Sequence, residues 1–344
     1  MRSRSAAVER YSWSVGGSTN TRTPLAVSIL TGILWLTAAL LAAPARAEAA
    51  AIDHIEAITD RWLRVWVNSP AMGRVLEVQV LLPEQQDHPR PTVYLLDGRA
   101  ADPVGNTWIT RGDALDFFAD KDVNVVLSVG GPVSYYTDWK SADPTLGTYR
   151  WETFLTRELP PLLDATFDGS GRNAVAGISM GAQGALMLAA RTPGLYAAAA
   201  GYSGCYSSAT LYGETQMRAV IASEGGDASN MFGPPGDPEW AAHDVFRRAD
   251  GLRGTAVYLS AGSGLAGEYE TLDNPETLES AFLGGPLEAG SALCTRLFGE
   301  YLAAQGIPST VEIHPTGTHS WPYWADELRR SWPVLAGALT DSGS

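Results

Sequence analysis

Short apolar runs recur along most of the chain and are the first structural signal in the sequence. Each spans about five to eight residues, the length of a buried β-strand. The predicted strands are Leu63–Val67, Val75–Leu82, Thr92–Leu96, Val123–Val129, Asn173–Ile178, Tyr196–Tyr202, Ala256–Ala261 and Thr310–His314. Because most of these runs are almost continuously apolar, we expect a sheet that is covered on both faces.

Segments with helical periodicity lie between several of these strands. They are Trp151–Leu163, Gly181–Ala190, Ala292–Ala304 and Trp324–Ala338. Two strands precede this alternation, so the pattern predicts an α/β fold with a mostly parallel central sheet, an antiparallel start and helices on both faces. No internal repeat or Pro/Ser-rich linker follows residue 48, which predicts a single catalytic domain over residues 48–344.

Two long stretches, Glu224–Pro238 and Gly262–Gly290, are rich in glycine and proline instead of periodic. Loops of this length in a compact domain usually serve as lids or binding loops. A disordered insertion is the alternative for the second stretch.

The first 47 residues have a different pattern. Arginines stand at the start, no charge occurs between Arg22 and Arg46, and the apolar run ends in Ala45-Arg46-Ala47. A basic leader, an apolar stretch and a small-x-small site predict an export signal over residues 1–47, cut after Ala47. An uncleaved anchor helix is the alternative, because the stretch is nearly long enough to span a bilayer.

Charge and cysteine content then narrow the function. The chain of 344 residues has a net charge of −14, and without the five arginines and one glutamate of residues 1–47 it falls to −18. Such acidity argues against nucleic-acid binding, which needs Lys and Arg at phosphates. In an oxidising compartment the two cysteines, Cys205 and Cys294, are expected to pair, with two separate buried thiols as the alternative.

A nucleophile motif lies where a predicted strand meets a predicted helix. The residues Gly177-Ile178-Ser179-Met180-Gly181 form Gly-x-Ser-x-Gly, directly after the strand Asn173–Ile178. In this strand-to-helix turn the glycines leave room for a strained backbone, and the serine hydroxyl is raised above the sheet at a helix N-terminus. Ser179 is therefore the candidate nucleophile, and a small-residue packing turn is the alternative.

A serine needs a base, usually a histidine oriented by a carboxylate. Of the five histidines, only His319 lies in the loop after the last strand, where an α/β-hydrolase has its base. The acid should follow the strand Ala256–Ala261, where Glu268, Glu270 and Asp273 are candidates that spacing does not separate. The backbone N–H groups of Met180 and Arg99 are the candidate oxyanion donors.

Several longer motifs resemble the secreted mycolyltransferases of the antigen 85 type. The resemblance rests on Tyr94–Gly98, Val129–Trp139, Trp151–Pro160, Gly233-Pro234, Asp237–Trp240 and Gly317–Trp324. It implies an α/β-hydrolase that transfers a mycoloyl group from trehalose monomycolate to a second trehalose monomycolate or to cell-wall arabinogalactan, through a mycoloyl-serine intermediate. Secretion or attachment to the cell envelope, a monomer, and neither cofactor nor metal are expected.

The same resemblance implies roles for individual residues. Gly262–Glu268 matches the family's loop that ends in the triad glutamate, so Glu268 becomes the expected acid. Asp97 matches the aspartate that binds the trehalose headgroup, and Trp321 lines the same pocket. The segment Thr107–Arg111 departs from the family, which has an asparagine shortly after a Gly-Trp pair, so one sugar contact is either lost or replaced, with Arg111 as the candidate replacement. Further aromatic residues are expected either to stack on a disaccharide or to lie in the core, namely Trp108, Tyr136 and Trp139.

Two other functions compete with this hypothesis. A secreted carboxylesterase would use the same triad with water as acceptor. A catalytically silent adhesin would have the same fold without enzymatic activity, but the presence of the serine, the histidine and the acid candidates argues against this function.

Overall fold

The computed structural model describes residues 49–271, 273 and 275–340. The predicted export signal lies outside this part of the chain. In the described helices, no segment combines the length and the apolar character needed to cross a bilayer.

Across the described residues, nine strands form one sheet in the order β1-β2-β3-β5-β4-β6-β7-β8-β9. The first pairings, through β3 and β5, are antiparallel, and all later ones are parallel. The strands are β1 Ala51–Ala57, β2 Trp62–Ser69, β3 Arg74–Leu81, β4 Arg90–Leu96, β5 Asn124–Ser128, β6 Gly169–Ile178, β7 Tyr196–Tyr202, β8 Ala256–Ala261 and β9 Ser309–Ile313. The predicted fold class, an α/β-hydrolase with a mostly parallel sheet, is confirmed.

Every strand that the apolar runs predict has an observed counterpart, but β1 was missed. It lies at the sheet edge with most of its residues exposed. Such a strand carries no continuous apolar run, so the sequence gives little sign of it.

Helices cover both faces of the sheet. The core on one face includes residues of α4, α5, α6, α9 and α10, and the core on the other includes residues of α1, α2 and α11. Their bounds are α1 Thr107–Thr110, α2 Ala114–Phe117, α3 Trp151–Thr153, α4 Leu159–Thr166, α5 Met180–Arg191, α6 Leu211–Ala222, α7 Ala228–Phe232, α8 Pro238–Ala242, α9 Val245–Arg248, α10 Pro275–Ala304 and α11 Trp321–Thr340. A π-helical segment, Phe154–Glu158, joins α3 to α4, and a 3₁₀ turn, Ala249–Leu252, follows α9.

The helix α10 corrects the expected loop Gly262–Gly290. It begins at Pro275, whereas periodicity predicts a start at Ala292. Gly284, Gly285 and Pro286 lie inside the helix and are poor helix formers, which hides its first half from a propensity argument. The disulfide between Cys205 and Cys294 is present and joins α10 to the segment after β7.

The parallel strands bring the candidate chemistry together. The carboxyl ends of β4, β6, β7, β8 and β9 lie side by side at one edge of the sheet. In open α/β sheets, ligands bind in the crevice outside these ends. Asp97, Ser179, Ser203 and Gly262 each directly follow one of these strands.

The turn from β6 to α5 requires a close backbone approach. A Cβ atom on Gly177 would lie 2.2 Å from the carbonyl oxygen of Gly181, and one on Gly181 would lie 2.4 Å from that of Asp97. Both contacts are with backbone, which cannot move aside as a flexible side chain does. The two glycines of the motif are thus required by packing as well as by the turn.

We therefore expect Gly177→Ala to lower the free energy of unfolding by about 1–3 kcal/mol or more, since overpacking a core typically costs this amount. Urea unfolding of the purified protein measures this change. Gly337→Ala is the matched control, because that glycine lies in α11 with no atom within 4 Å of an added Cβ. The control should be neutral or up to about 1 kcal/mol more stable, since alanine is the better helix former. Equal effects in both variants would contradict the close-packing argument.

Candidate active site

Ser179 occupies a strained position between β6 and α5. Its φ is 52° and its ψ is −116°, a conformation that few non-glycine residues adopt. The Ser179 N–H donates to the carbonyl of Tyr202 over 2.8 Å, and the Ser179 carbonyl accepts a hydrogen bond from the Ala182 N–H over 3.1 Å. These bonds hold the turn that presents the hydroxyl above the sheet.

A continuous hydrogen-bond chain runs from Ser179 through His319 to Glu288. The Nε2 atom of His319 lies 2.8 Å from the Oγ of Ser179, and its Nδ1 lies 2.7 Å from Oε2 of Glu288. Glu288 is fully buried, with 1% of its surface exposed. A serine, an imidazole and a carboxylate in this order form the arrangement that activates a serine for attack on an ester.

The other carboxylate oxygen of Glu288 is held just as closely. Its Oε1 accepts hydrogen bonds from the Ser203 hydroxyl over 2.7 Å and from the Gly262 N–H over 2.6 Å. The indole N–H of Trp324 in turn donates to the Ser203 oxygen over 2.9 Å. A buried carboxylate needs such partners to offset its desolvation, and here they also fix its direction.

The expected acid, Glu268, is not the carboxylate that contacts His319. Glu268 and Asp273 are both exposed. Glu270 instead binds the loop before the histidine: it accepts hydrogen bonds from Gly267 N–H, Thr318 Oγ1 and Tyr323 Oη over 2.7, 2.7 and 2.5 Å. The structure brings Glu288, and not Glu268, into contact with His319, because the helix α10 and not the loop after β8 reaches the imidazole.

One sequence signal for Glu288 was available. It is the only charged residue between Glu279 and Arg296, in a stretch of otherwise apolar and small residues. An isolated acid in such surroundings indicates a buried role, but periodicity did not reveal the helix that carries it.

The two expected oxyanion donors lie beside the serine. Met180 is the first residue of α5, where backbone N–H groups have no intrahelical partner, and Arg99 lies on the loop after β4. A Cβ on Gly98 would lie 3.7 Å from Cβ of Ser179, so this loop runs close to the nucleophile. The buried Tyr136 hydroxyl accepts from Asp97 N–H over 2.9 Å and donates to Asp97 O over 3.3 Å, which holds the loop from below.

A cavity of about 530 Å³ opens at Ser179. Its walls include both candidate oxyanion residues, His319, and the expected sugar contacts Trp321 and Arg111. Trp321 packs edge-on against Trp324, with ring centroids 5.3 Å apart. The wall therefore offers a tryptophan and an arginine next to the nucleophile, a combination suited to a polar ring with hydroxyl groups.

Asp97 lies beneath the cavity. It is 1% exposed and is not among the described residues that line the wall, although its neighbours Gly98 and Thr107 are. Its Oδ2 accepts the Thr107 N–H over 3.0 Å, and its Oδ1 has no hydrogen-bond partner among the described residues. Burial raises the pKa of the Asp97 carboxyl to about 7.

Of the two alternatives left open for the further aromatic residues, the structure shows the core position for all three. Trp108, Tyr136 and Trp139 are each at most 1% exposed and belong to the two cores. Trp108 supports the site indirectly, because its ring packs edge-on against that of Trp321 at 5.3 Å.

Among the described residues, one cluster has the donor types of a metal site: Glu312, His314 and Glu327. These groups already bind one another and a tyrosine. His314 Nε2 lies 2.8 Å from Oε1 of Glu327, and the Tyr258 hydroxyl shares its single proton between carboxylate oxygens of Glu327 at 2.9 Å and of Glu312 at 3.1 Å. Glu327 raises the pKa of His314, which favours a protonated ion pair over a neutral metal ligand.

Comparison with known proteins places this geometry in a family. The profile of the putative esterase family matches residues 69–334. The chain is 34% identical over 283 residues to the diacylglycerol acyltransferase/mycolyltransferase Ag85B of Mycobacterium leprae, which covers 79% of this chain and 83% of that protein. The chain belongs to the antigen 85 family. Ag85A of Mycobacterium tuberculosis is 33% identical over 283 residues, covering 79% of this chain and 80% of the relative.

Two solved structures share the fold of this chain. Mycobacterium tuberculosis MPT51 (FbpC1) has a TM-score of 0.67 at 28% identity, covering 79% of this chain and 96% of that one. An S-formylglutathione hydrolase from Agrobacterium tumefaciens has a TM-score of 0.59 at 17% identity, over 83% and 99% of the two chains. The second likeness shows the fold alone.

The raised pKa of Asp97 makes a prediction about stability. The pKa of this carboxyl is ordinarily 3.8 and is about 7 in the folded protein, so the folded state binds the proton more tightly than the unfolded state. The carboxyl therefore contributes most to the free energy of unfolding below pH 4, and this contribution is lost as pH rises towards 7. Relative to Asp97→Asn, the wild type should lose on the order of 4 kcal/mol of unfolding free energy between pH 4 and 7 and little more above it. Urea unfolding of both proteins at each pH measures the difference. A constant difference would contradict a buried, neutral Asp97.

Proposed function

We propose that this protein is a serine-dependent acyltransferase with Ser179 as nucleophile, His319 as general base and acid, and Glu288 as the residue that orients the imidazole. The hydrogen-bond chain of 2.8 and 2.7 Å through His319 carries the proposal. The strained turn at Ser179 supports it, since such strain is characteristic of the nucleophile in this fold.

The first half of the reaction makes a covalent intermediate. His319 Nε2 takes the hydroxyl proton of Ser179 as its oxygen attacks the ester carbonyl of the donor, and the Glu288 carboxylate stabilises the imidazolium. The N–H groups of Met180 and Arg99 donate to the oxyanion. His319 then returns the proton to the sugar oxygen of the leaving group, and the acyl chain remains on Ser179.

The second half reverses these steps with a different alcohol. A hydroxyl of the acceptor gives its proton to His319 and attacks the acyl-serine, and Ser179 regains its proton when the new ester leaves. Ping-pong kinetics follow from this order.

We further propose a mycoloyl donor, trehalose monomycolate, and as acceptor a second trehalose monomycolate or cell-wall arabinogalactan. The mycolyltransferase names of the Ag85A and Ag85B relatives support this choice. Trp321 and Arg111 at the cavity wall are proposed to contact the sugar directly, and Asp97 to support the same subsite from beneath it. No cofactor or metal enters the mechanism.

These substrates imply a location outside the cytoplasm. We propose that residues 1–47 direct export and that the mature enzyme works as a monomer in the cell envelope or as a secreted protein. The Cys205–Cys294 disulfide supports this location, because disulfides persist in oxidising compartments.

Ser179→Ala should abolish both formation of the acyl-enzyme and transfer, because the nucleophile is removed. Transfer from trehalose monomycolate should fall by at least about 10⁴-fold. Intact-protein mass spectrometry after incubation with the donor reports the acyl adduct, and chromatography of the glycolipids reports transfer. Retained transfer in this variant would contradict the proposal.

Glu288→Gln should lower kcat by about 10⁴-fold, because the amide cannot stabilise an imidazolium as a carboxylate does. Glu268→Gln is the matched control and should stay within about twofold of wild type, since Glu268 is exposed. Initial transfer rates at saturating donor measure both. The opposite ranking would return the acid role to Glu268.

Product analysis separates transfer from hydrolysis. With trehalose monomycolate as donor and acceptor, we expect trehalose dimycolate as the main product, because the cavity presents Trp321 and Arg111 to a sugar. Thin-layer chromatography with a radiolabelled acyl chain measures both products. Free mycolic acid without dimycolate would favour the carboxylesterase instead.

A further inference from the structure

The helix that carries Glu288 makes unusually close backbone contacts on its inner side. A Cβ on Gly285 would lie 2.8 Å from the carbonyl oxygen of Gly264, and one on Gly284 would lie 3.2 Å from the N–H nitrogen of His319. The N–H of His319 donates to the Gly284 carbonyl over 3.4 Å. The close approach of α10 to Gly264 therefore requires glycine at position 285, and the approach to His319 leaves little room for a side chain at position 284.

The same residues weaken the helix that they bring close. Gly284, Gly285, Pro286 and Gly290 lie within the two turns that surround Glu288. Glycine loses the most backbone entropy in a helix, and proline lacks the N–H that would bind the preceding turn. Local propensity does not favour this helical segment, so tertiary restraints must hold it in place.

Among the described residues, the exposed side of this segment supplies no such restraint. Phe282 and Leu283 are 78% and 69% exposed, and Leu287, which lines the cavity, is 61% exposed. Within the described residues, restraint comes from the inner side and from the C-terminal half of α10. In that half Phe298 and Leu302 are fully buried, and the ring of Phe298 packs against Tyr206 at 4.8 Å.

The disulfide joins the two segments that converge on Glu288. Cys294 lies six residues after Glu288 on α10, less than two helical turns away. Cys205 lies two residues after Ser203, whose hydroxyl donates to Glu288. The Thr295 hydroxyl adds a hydrogen bond to the Gly204 carbonyl over 3.4 Å. The crosslink thus ties α10 to the segment that holds one oxygen of its carboxylate.

We propose that Cys205 and Cys294 are positioning residues of the active site: their disulfide fixes the height and direction of Glu288 at His319. The proposal rests on the proposed function, in which Glu288 orients the imidazole. The disulfide then sets kcat through Glu288, beyond any general contribution to stability, because small misplacements of catalytic groups slow the chemical step.

A double-mutant cycle tests the coupling. We compare wild type, C205S/C294S, Glu288→Gln and the triple variant, with kcat and KM for p-nitrophenyl butyrate hydrolysis, at a temperature where near-ultraviolet circular dichroism is native. Loss of the disulfide should lower kcat by about 10–100-fold with little change in KM. In the Glu288→Gln background the same loss should change kcat by less than about twofold, since the carboxylate to be positioned is gone.

A control separates positioning from stability. Leu163→Ala removes a buried side chain from α4, outside α10 and the cavity wall, and should destabilise the protein, yet leave kcat of the folded enzyme near wild type. Equal fold-losses from C205S/C294S in both backgrounds, or none in either, would overturn the proposal while leaving the role of Glu288 intact. Wild-type activity in Glu288→Gln would instead remove the acid assignment itself.

A second route covers variants that fold poorly. Reduction of the native disulfide with a phosphine, followed by activity and near-ultraviolet circular dichroism together, should give the same loss of kcat with a native spectrum. Loss of the native spectrum on reduction and in C205S/C294S alike would assign the disulfide to global stability and overturn the proposal.

Discussion

The contact between the buried carboxylate of Glu288 and the imidazole of His319 is the constraint on which the site depends. The two residues belong to α10 and to the loop after β9, and they meet over 2.7 Å in the interior. A buried charge is tolerated only where its oxygens are hydrogen-bonded, and Ser203 and Gly262 supply those bonds. The glycines that allow α10 to come this close also weaken it, which gives the crosslink at Cys294 its importance.

The parallel sheet makes this meeting geometrically simple. Its strands end at one edge, so residues distant in sequence arrive together, with Ser179 and His319 separated by 140 positions. The turn at Ser179 is strained, because the packed backbones of β6 and α5 hold an unfavourable φ there. The packed sheet holds Ser179 in its strained conformation, while the loop after β9 and the helix α10 supply His319 and Glu288.

Tryptophans serve two purposes around this edge. Trp321 lines the cavity, whereas Trp108 lies fully buried behind Trp321 and fixes the Trp321 ring through an edge-on contact. Tyr136 likewise does not face the cavity but holds the backbone of Asp97. The aromatic residues at this edge thus divide into those that face the cavity and those that orient its neighbouring groups.

Local sequence patterns were sufficient to predict the α/β class, nearly all the strands, the pairing of the two cysteines, and Ser179 and His319 as the serine and histidine of one site. Each of these is encoded locally, in an apolar run, a strand-to-helix motif or a count of two cysteines. The fold alone shows that Glu288, and not Glu268, contacts His319. Glu288 lies in a helix whose glycines and proline erase its periodic signal, and only packing against His319 shows why they are there. The tertiary structure also decided which aromatic residues face the cavity, since burial depends on neighbours that no local pattern names.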